Sequence, residues 1–421
     1  MDTNPTRQSV RLDSVDTYRG LVMLLMMAEV LKLSRLSEQV RENSFWDFLA
    51  YHQTHITWAG CTVHDMIQPS FSLLVGVSLP FSLAARRARG DSTTQLFWHA
   101  AWRALLLVFL GIWLRSIGKG QTNFTFDDTL TQIGLGYLPL FLLALAAPRV
   151  WWIALGVILI GYWTAFAVYP LPGPDFDWES VNVLPGSAER FSGFAEHWSK
   201  NSNIATAFDQ WWMNLFPRSG AFKFQGSGYT TLSFIPTLGT MLLGLIAGAR
   251  LRSAVQLRKN NTATAEIRGT DATASETKDR PEWPVTGWLL ATGAILIAAS
   301  LLLHYAGICP IVKKIWTPAW VLFSGGVCYW ILAIFYAVID VRGYRRWTLP
   351  LRVIGMNSIA AYVMAHLFES FLLRDFRTHL PASWIGYWGT DFEPVVLGAL
   401  ALAVYWLILW WMYRRKLFLK I

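Results

Sequence analysis

The sequence has few cysteines and few charged residues. Only 3 Cys occur among 421 residues, and Asp, Glu, Lys and Arg together make up 15% of the chain. Three scattered thiols exclude a disulfide framework and a thiolate metal site, although pairing of Cys61 with Cys309 stays open. With 54% hydrophobic residues and 23 Trp, the chain carries more apolar surface than a soluble core needs. The lipid bilayer is therefore its expected partner and main solvent.

The positive charge lies mainly between the apolar runs. A net charge of +9 would suggest nucleic acid as the partner of a soluble protein, but here Lys and Arg fall in short loops. That distribution is typical of the positive-inside rule, so we interpret the charge as topology and expect no nucleic-acid partner. The N-terminal segment is polar and lacks a small-residue cleavage site, so we expect the first run to be retained as a membrane helix.

Ten mainly apolar runs predict an all-α polytopic membrane protein. Both termini are predicted to be cytoplasmic, because the loops that then lie inside carry most of the basic residues. The runs are 17–34, 66–84, 101–117, 129–147, 150–169, 230–250, 285–304, 316–340, 350–370 and 393–412.

Two long loops organise the chain. Residues 251–284, rich in Thr, Ala, Lys, Arg and Glu, are predicted as a flexible cytoplasmic linker between six helices in 1–250 and four in 285–421. The outer loop 170–229 carries too many aromatic residues for a disordered segment. Either it folds over the outer mouth as a lid or substrate platform, or it is an interfacial helix anchored by its tryptophans.

A cluster of titratable side chains lies where the second apolar run begins. It comprises His52, His55, His64 and Asp65. Such groups are unfavourable where lipid meets water unless they have a function. A metal site is one interpretation, but the spacing matches no compact ligand pair. Ordinary polar loop residues are a second interpretation, and a histidine general base oriented by Asp65 is a third.

Further polar groups lie inside the predicted helices. Asp16 and Arg19 are three residues apart and can pair on one helix face. Glu29 lies deep in the same run, as a functional carboxylate or half of a structural ion pair. Uncharged groups recur in three other runs, which predicts a polar cavity. They include Gln132, Tyr137, Thr231, Ser233, Thr237, Thr240, Asn357, Ser358, Tyr362 and His366.

Several motifs occur in one order along nearly the whole chain. They are D-x-x-R-G with Asp16, Arg19 and Gly20; H-x-x-W-x-G-x-T-x-x-D-x-x-x-P with His55, Trp58, Gly60, Thr62, Asp65 and Pro69; Gln132 with Tyr137; residues 228–248; residues 314–326; Asp340 with Gly343; and GMNS at 355–358. By these motifs the chain resembles the transmembrane N-acetyltransferases of the heparan-α-glucosaminide type and their bacterial amino-sugar acetyltransferase relatives.

The resemblance implies one catalytic membrane domain that transfers acetyl from cytosolic acetyl-CoA to the amine of an amino sugar. The acceptor would lie on the periplasmic side of a bacterial inner membrane, and no metal is expected. The register of Trp58 and Gly60 places the family's essential histidine on His55, with His52 and His64 as bystanders. Many relatives carry Asn near the outer end of the first helix, where this sequence has Glu29.

The resemblance also implies binding residues. We expect Trp58, Glu29, Gln132, Asn357 and His366 at the acceptor, and Arg19, Arg103, Asn357 and Ser358 at acetyl-CoA. The two arginines are equally well explained as topology signals. Direct attack in a ternary complex and an acetyl-imidazole intermediate both stay open, and the ternary scheme is favoured because it needs only a base and positioning.

Two rival functions remain at this point. Ten helices with polar groups in mid-membrane also suit a sugar transporter. An O-acetyltransferase of surface polysaccharide would keep the chemistry and change the acceptor. Assembly into a homo-oligomer is open as well.

Overall fold

The computed structural model describes residues 12–40, 43–268 and 282–419, and within these ranges the chain is helical. The β contact found there is an isolated antiparallel bridge between Ala59 and Val312. The all-α prediction is therefore confirmed. The helices are α1 Asp13–Met27, α2 Leu33–Gln39, α3 Ser44–Gln53, α4 Ile67–Arg87, α5 Thr93–Ser116, α6 Thr129–Ala144, α7 Pro148–Val168, α8 Ile204–Trp212, α9 Phe234–Arg268, α10 Glu282–Tyr305, α11 Pro318–Phe335, α12 Leu349–Met356, α13 Ser358–His379, α14 Ala382–Ile385 and α15 Glu393–Arg414.

Seven helical segments of the described chain are long and apolar enough to cross a membrane. They are His64–Arg87, Thr93–Ser116, Pro148–Val168, Thr231–Asn261, Glu282–Tyr305, Pro318–Val341 and Thr390–Arg414. An eighth crossing results if α12 and α13, which are bent by 67° at Asn357, form one span.

All ten predicted runs fall on helices, but the count of ten crossings is not confirmed. The two runs that account for the difference are α1, with 15 residues, and α6, with 16. A straight helix needs about 20 residues to cross the hydrocarbon layer. After Met27, α1 gives way to a 3₁₀ turn over Ala28–Leu31, and Lys32 then takes a left-handed conformation with φ of 49°. The sequence pattern carried no sign of that break.

The predicted linker 251–284 begins as a helix. Helix α9 continues to Arg268, and residues 269–281 lie outside the described residues. Residues such as Ala, Arg, Lys and Glu have high helix propensity, so a stretch poor in aromatics extends a helix as readily as it forms a linker. Leu251 and Ala254 are buried, which anchors the start of this extension.

The helices α4 and α9 lie in backbone contact at the centre of the molecule. A Cβ atom added at Gly76 would collide with the carbonyl oxygen of Met241, and one at Gly244 with that of Leu73. Only glycine permits this approach, which is the usual role of small residues between membrane helices. The contact fixes α4, and with it the histidine cluster at its start, to the longest helix of the fold.

The aromatic loop 170–229 is folded, with many contacts among its own residues. Trp198 is fully buried and its ring is stacked at 6.3 Å from that of Phe166 in α7. Its carbonyl oxygen accepts a hydrogen bond from the indole of Trp58 at 3.1 Å. Helix α8 follows, and the carboxylate of Asp209 accepts from the amide of Thr231 at the entrance to α9. The aromatic residues thus pack mainly against one another and against α7.

Candidate active site

A cavity of about 570 Å³ lies beside the start of α4. Helices α1 and α4 supply apolar lining, including Met23, Met27 and Phe71. Polar lining comes from loops, from helix ends and from α13, with His55, Asp127, Gln225, Lys313 and Glu369 among the residues. A mixed cavity of this size is typical of a small-molecule site.

The side chains of His55 and Asp65 meet at the wall of this cavity. Nδ1 of His55 lies 2.8 Å from Oδ1 of Asp65. The His55 side chain is 42% exposed, whereas that of Asp65 is 1% exposed. A buried carboxylate therefore fixes one face of an imidazole that is open to the cavity. Because Nδ1 is engaged, Nε2 is the nitrogen available to a bound molecule.

The position of Asp65 is set by the start of the helix. Its Oδ2 accepts from the amides of Ile56 at 3.1 Å and Thr62 at 3.0 Å, and from the Thr62 hydroxyl at 3.0 Å. The Thr62 hydroxyl lies 3.3 Å from the amide of Asp65 in return. This reciprocal pattern is a capping box, which the sequence T-x-x-D at 62–65 encodes.

Lys313 is a third charged member of the cluster, and the sequence analysis missed it. Its ammonium nitrogen lies 3.2 Å from Oδ1 of Asp65 and 3.0 Å from Nδ1 of His55. The bridge between Ala59 and Val312, with a hydrogen bond from Gly60 to the carbonyl of Ile311, brings the two loops together. Gly60 has a φ of +115°, which favours glycine at this point.

The two neighbouring histidines differ in position. His64, which we predicted to be a bystander, lines the cavity, and its ring centroid is 4.6 Å from that of His55. The 3₁₀ turn His64–Met66 that precedes α4 brings it there. His52 contacts Phe48 and Tyr51, and its Nδ1 lies 3.4 Å from the amide of Val63. His52 is outside the cavity lining.

Two of the predicted acceptor residues do line the cavity. Glu29 lies on the 3₁₀ turn that follows α1, where it is exposed and lines the cavity. His366 on α13 also lines the cavity, and its ring is stacked at 4.3 Å on that of Tyr362. Tyr405 on α15 is also in the lining, and its buried hydroxyl has no hydrogen-bond partner within the described residues. A bound molecule can supply that partner.

Two other predicted acceptor residues have packing roles in the structure. Trp58 is 1% exposed and belongs to the apolar cluster around Phe166 and Trp198. Gln132 is equally buried, and its amide donates to the carbonyls of Phe126 at 2.6 Å and Thr231 at 3.2 Å. Both side chains position loops near the cavity without lining it.

The residues predicted at acetyl-CoA also lie outside the cavity lining. Asn357, at the bend before Ser358, donates to the carbonyl of Leu417 at 3.1 Å and accepts from the amide of Leu419 at 3.2 Å. The Arg19 guanidinium contacts Asp16 at 3.3 Å and Ser78 at 2.7 Å. Arg103 lies 4.6 Å above the Tyr137 ring. These contacts hold helices and the C-terminal segment together.

The three cysteines are free, so the Cys61 to Cys309 pairing is not formed. Burial raises the pKa of the thiols of Cys61 and Cys309 to about 12, which makes both poor nucleophiles. In the part of the chain that the structure describes, no group of three or more His, Cys, Asp and Glu side chains is placed to hold a metal ion.

The similarity to known proteins extends over nearly the whole chain. No family model matches it. Over 98% of its length, the chain is 24% identical to the human heparan-alpha-glucosaminide N-acetyltransferase and 22% identical to the mouse protein of that name. The chain is a distant relative of these enzymes. It spans 60% of the length of each of these curated relatives.

In this N-acetyltransferase relative, several cavity residues besides Lys313 were not predicted. They are Arg115, Asp127, Asp128 and Tyr229. Burial raises the pKa of Asp128, which caps α6, and that of the Tyr229 hydroxyl. One sequence signal pointed to two of these residues, the consecutive aspartates at 127–128 before α6. The signal for Lys313 was the pair of lysines at 313–314, in a loop that the predicted topology places outside, where the positive-inside rule predicts few.

Proposed function

We propose that this protein is a membrane-embedded acetyltransferase. It moves an acetyl group from acetyl-CoA to the amine of glucosamine, or of a glucosamine-containing saccharide, on the periplasmic side of a bacterial inner membrane. The observation that carries the proposal is the 2.8 Å contact between Nδ1 of His55 and buried Asp65 at the wall of the cavity. The names of the two relatives support the same chemistry.

His55 has the features of a general base. An amine attacks a thioester through its lone pair and must lose a proton as the new C–N bond forms. Nε2 of His55 accepts that proton, and Asp65 stabilises the resulting imidazolium through Nδ1. As the C–S bond breaks, the imidazolium returns the proton to the departing CoA sulfur. The ring is then neutral again for the next turnover.

The cavity lining suits both substrates. Carboxylates, amides and hydroxyls such as Asp127, Gln225 and Ser227 can hydrogen-bond a sugar. The apolar side chains of Met23, Met27 and their neighbours on α1 suit the acetyl group and its thioester arm. When bound, acetyl-CoA supplies the activated acyl group, and the chain's own residues supply the base and the positioning.

An acetylation assay tests the proposal. Purified protein with acetyl-CoA and glucosamine should release CoA and form N-acetylglucosamine, measured by mass spectrometry. His55→Ala should lower kcat by about 10² or more, because general-base catalysis contributes that much. His52→Ala is the matched control, since His52 lies outside the cavity lining, and it should keep wild-type activity.

Other outcomes of the assay would support other functions. Full activity of His55→Ala would contradict the assignment of the base. Acetylation of glucose as readily as glucosamine would favour O-acetyl transfer. Passage of unmodified sugar into sealed vesicles, without acetylation, would identify a transporter.

A further inference from the structure

Lys313 is a buried cation in direct contact with the base and its orienting carboxylate. Its side chain is 3% exposed, and its ammonium nitrogen lies within 3.2 Å of both Oδ1 of Asp65 and Nδ1 of His55. Burial lowers the pKa of Lys313, and the carboxylate of Asp65 opposes that effect. A buried ammonium is unfavourable unless it is paired, so the charge of Lys313 depends on its ion pair with Asp65.

The groups that face Lys313 come from several elements. The 3₁₀ turn before α4 presents the carboxylate of Asp65 and the imidazole of His64, and the turn after α1 presents the carboxylate of Glu29. The loop before α4 presents the thiol of Cys61. The segment before α9 presents the ring of Tyr229, whose centre is 5.8 Å from the ammonium nitrogen. The adjacent Lys314 donates to the carbonyl of Thr57 at 2.7 Å, and its ammonium nitrogen lies 5.9 Å from the centre of the same Tyr229 ring.

We infer that Lys313 is a positioning residue that holds Asp65 against His55 and sets the pH range in which the imidazole is a neutral base. This inference rests on the proposed function. Asp65 alone favours the charged imidazolium, which cannot accept a proton from the amine. An ammonium at 3.0 Å from Nδ1 acts in the opposite sense. Removing the ammonium alone would leave the effect of the carboxylate on the ring unopposed.

Lys313→Met removes the charge and keeps a similar length of side chain. Asp65 retains the amides of Ile56 and Thr62 and the hydroxyl of Thr62 as donors, so the carboxylate is not orphaned. The acidic limb of the pH profile of kcat/KM should move to higher pH by about one pH unit. The reason is that the variant removes a positive charge that lies within a few ångström of the imidazolium of His55. Activity near pH 6 should fall more than activity near pH 9.

Two further variants separate charge from packing. Lys314→Met removes the neighbouring ammonium, which contacts Thr57 instead, and should leave the acidic limb where it is in the wild type. Lys313→Arg keeps the charge and should restore most of the wild-type profile. If Lys313→Met lowers activity equally at every pH, or moves the limb no further than Lys314→Met does, the inference is wrong.

A measurement without turnover keeps this test independent of the acetyltransferase assay. Diethyl pyrocarbonate reacts with neutral imidazole, so the pH dependence of its addition to His55, read by peptide mass spectrometry, follows the same protonation. The midpoint of this curve should move to higher pH by about one pH unit in Lys313→Met and stay in place in Lys314→Met. Curves that coincide would overturn the inference, whether or not glucosamine is the acceptor. A shifted curve in a protein that acetylates nothing would contradict only the proposed function.

Discussion

Asp209 is a carboxyl group whose ionisation opposes folding. It is 4% exposed in α8, and burial raises its pKa to about 6, although donors from Thr231 partly counter this. The folded protein therefore binds this proton more tightly than the unfolded chain does. The stabilisation from the protonated form is complete below about pH 4 and is lost as pH rises through about 6.

Asp209→Asn should consequently stabilise the protein at pH 8 and change little at pH 4. The amide keeps an oxygen that can accept from Thr231 but carries no charge. The difference between a pKa of about 6 in the folded protein and the ordinary value of a carboxyl group corresponds to roughly 3 kcal/mol in the free energy of unfolding. Thermal unfolding in detergent at both pH values measures it. Asp175→Asn, at an exposed residue of the same loop, is the control, and equal stability of wild type and Asp209→Asn at pH 8 would contradict the argument.

At the residue scale, the sequence predicted the contacts that are close in the chain. His55 and Asp65 are ten residues apart, and the T-x-x-D pattern at 62–65 sets their geometry. Lys313 is 258 residues from His55 along the chain, and its place depends on the bridge between Ala59 and Val312. Nothing local to the lysine specifies that pairing. Trp58 shows the converse, because a residue beside the site in sequence is turned into the apolar cluster behind it.

At the element scale, the contact between α4 and α9 makes a direct prediction. Gly244→Ala places a methyl group against the carbonyl of Leu73 on the facing helix. We expect a loss of about 1–3 kcal/mol in the free energy of unfolding, because overpacking forces the helices apart. Gly156→Ala in α7 is the matched control, since nothing lies within 4 Å of the added atom, and it should be neutral or slightly stabilising. Similar thermal stabilities for the two variants would refute the role of the contact.

Hydrophobic runs predicted the helices well and their ends poorly. Each run forms a helix because apolar residues in a bilayer must satisfy their backbone within the segment. The bend of 67° at Asn357 lies where its side chain meets the C-terminal segment. The break after α1 is bridged by Gln53, whose amide donates to the carbonyl of Ala28 and accepts from the amide of Leu33. Asn357 bonds the C-terminal segment through Leu417 and Leu419, which the run 350–370 does not contain.

At the scale of the whole molecule, the predicted sidedness can be measured by cysteine labelling. In a Cys61→Ser background, Leu184→Cys lies in the loop 170–229, which is predicted to be outside, and Arg89→Cys lies between α4 and α5. Leu184 is 65% exposed and Arg89 is also exposed. A membrane-impermeant maleimide should label Leu184→Cys in intact spheroplasts and Arg89→Cys only after permeabilisation, as the positive-inside rule predicts. The reverse pattern would invert the topology and move His55 to the cytoplasmic side.

The capping box at Thr62 and Asp65 has a consequence for the energetics of turnover. The carboxylate that orients His55 is ordered by the same hydrogen bonds that begin a helix, so its rotational freedom is already lost when the chain folds. Under the proposed function, a substrate that arrives at the cavity meets a base of fixed direction, and binding energy need not be spent on arranging it. The activation entropy of the reaction should reflect the ordering of the two substrates far more than that of the protein.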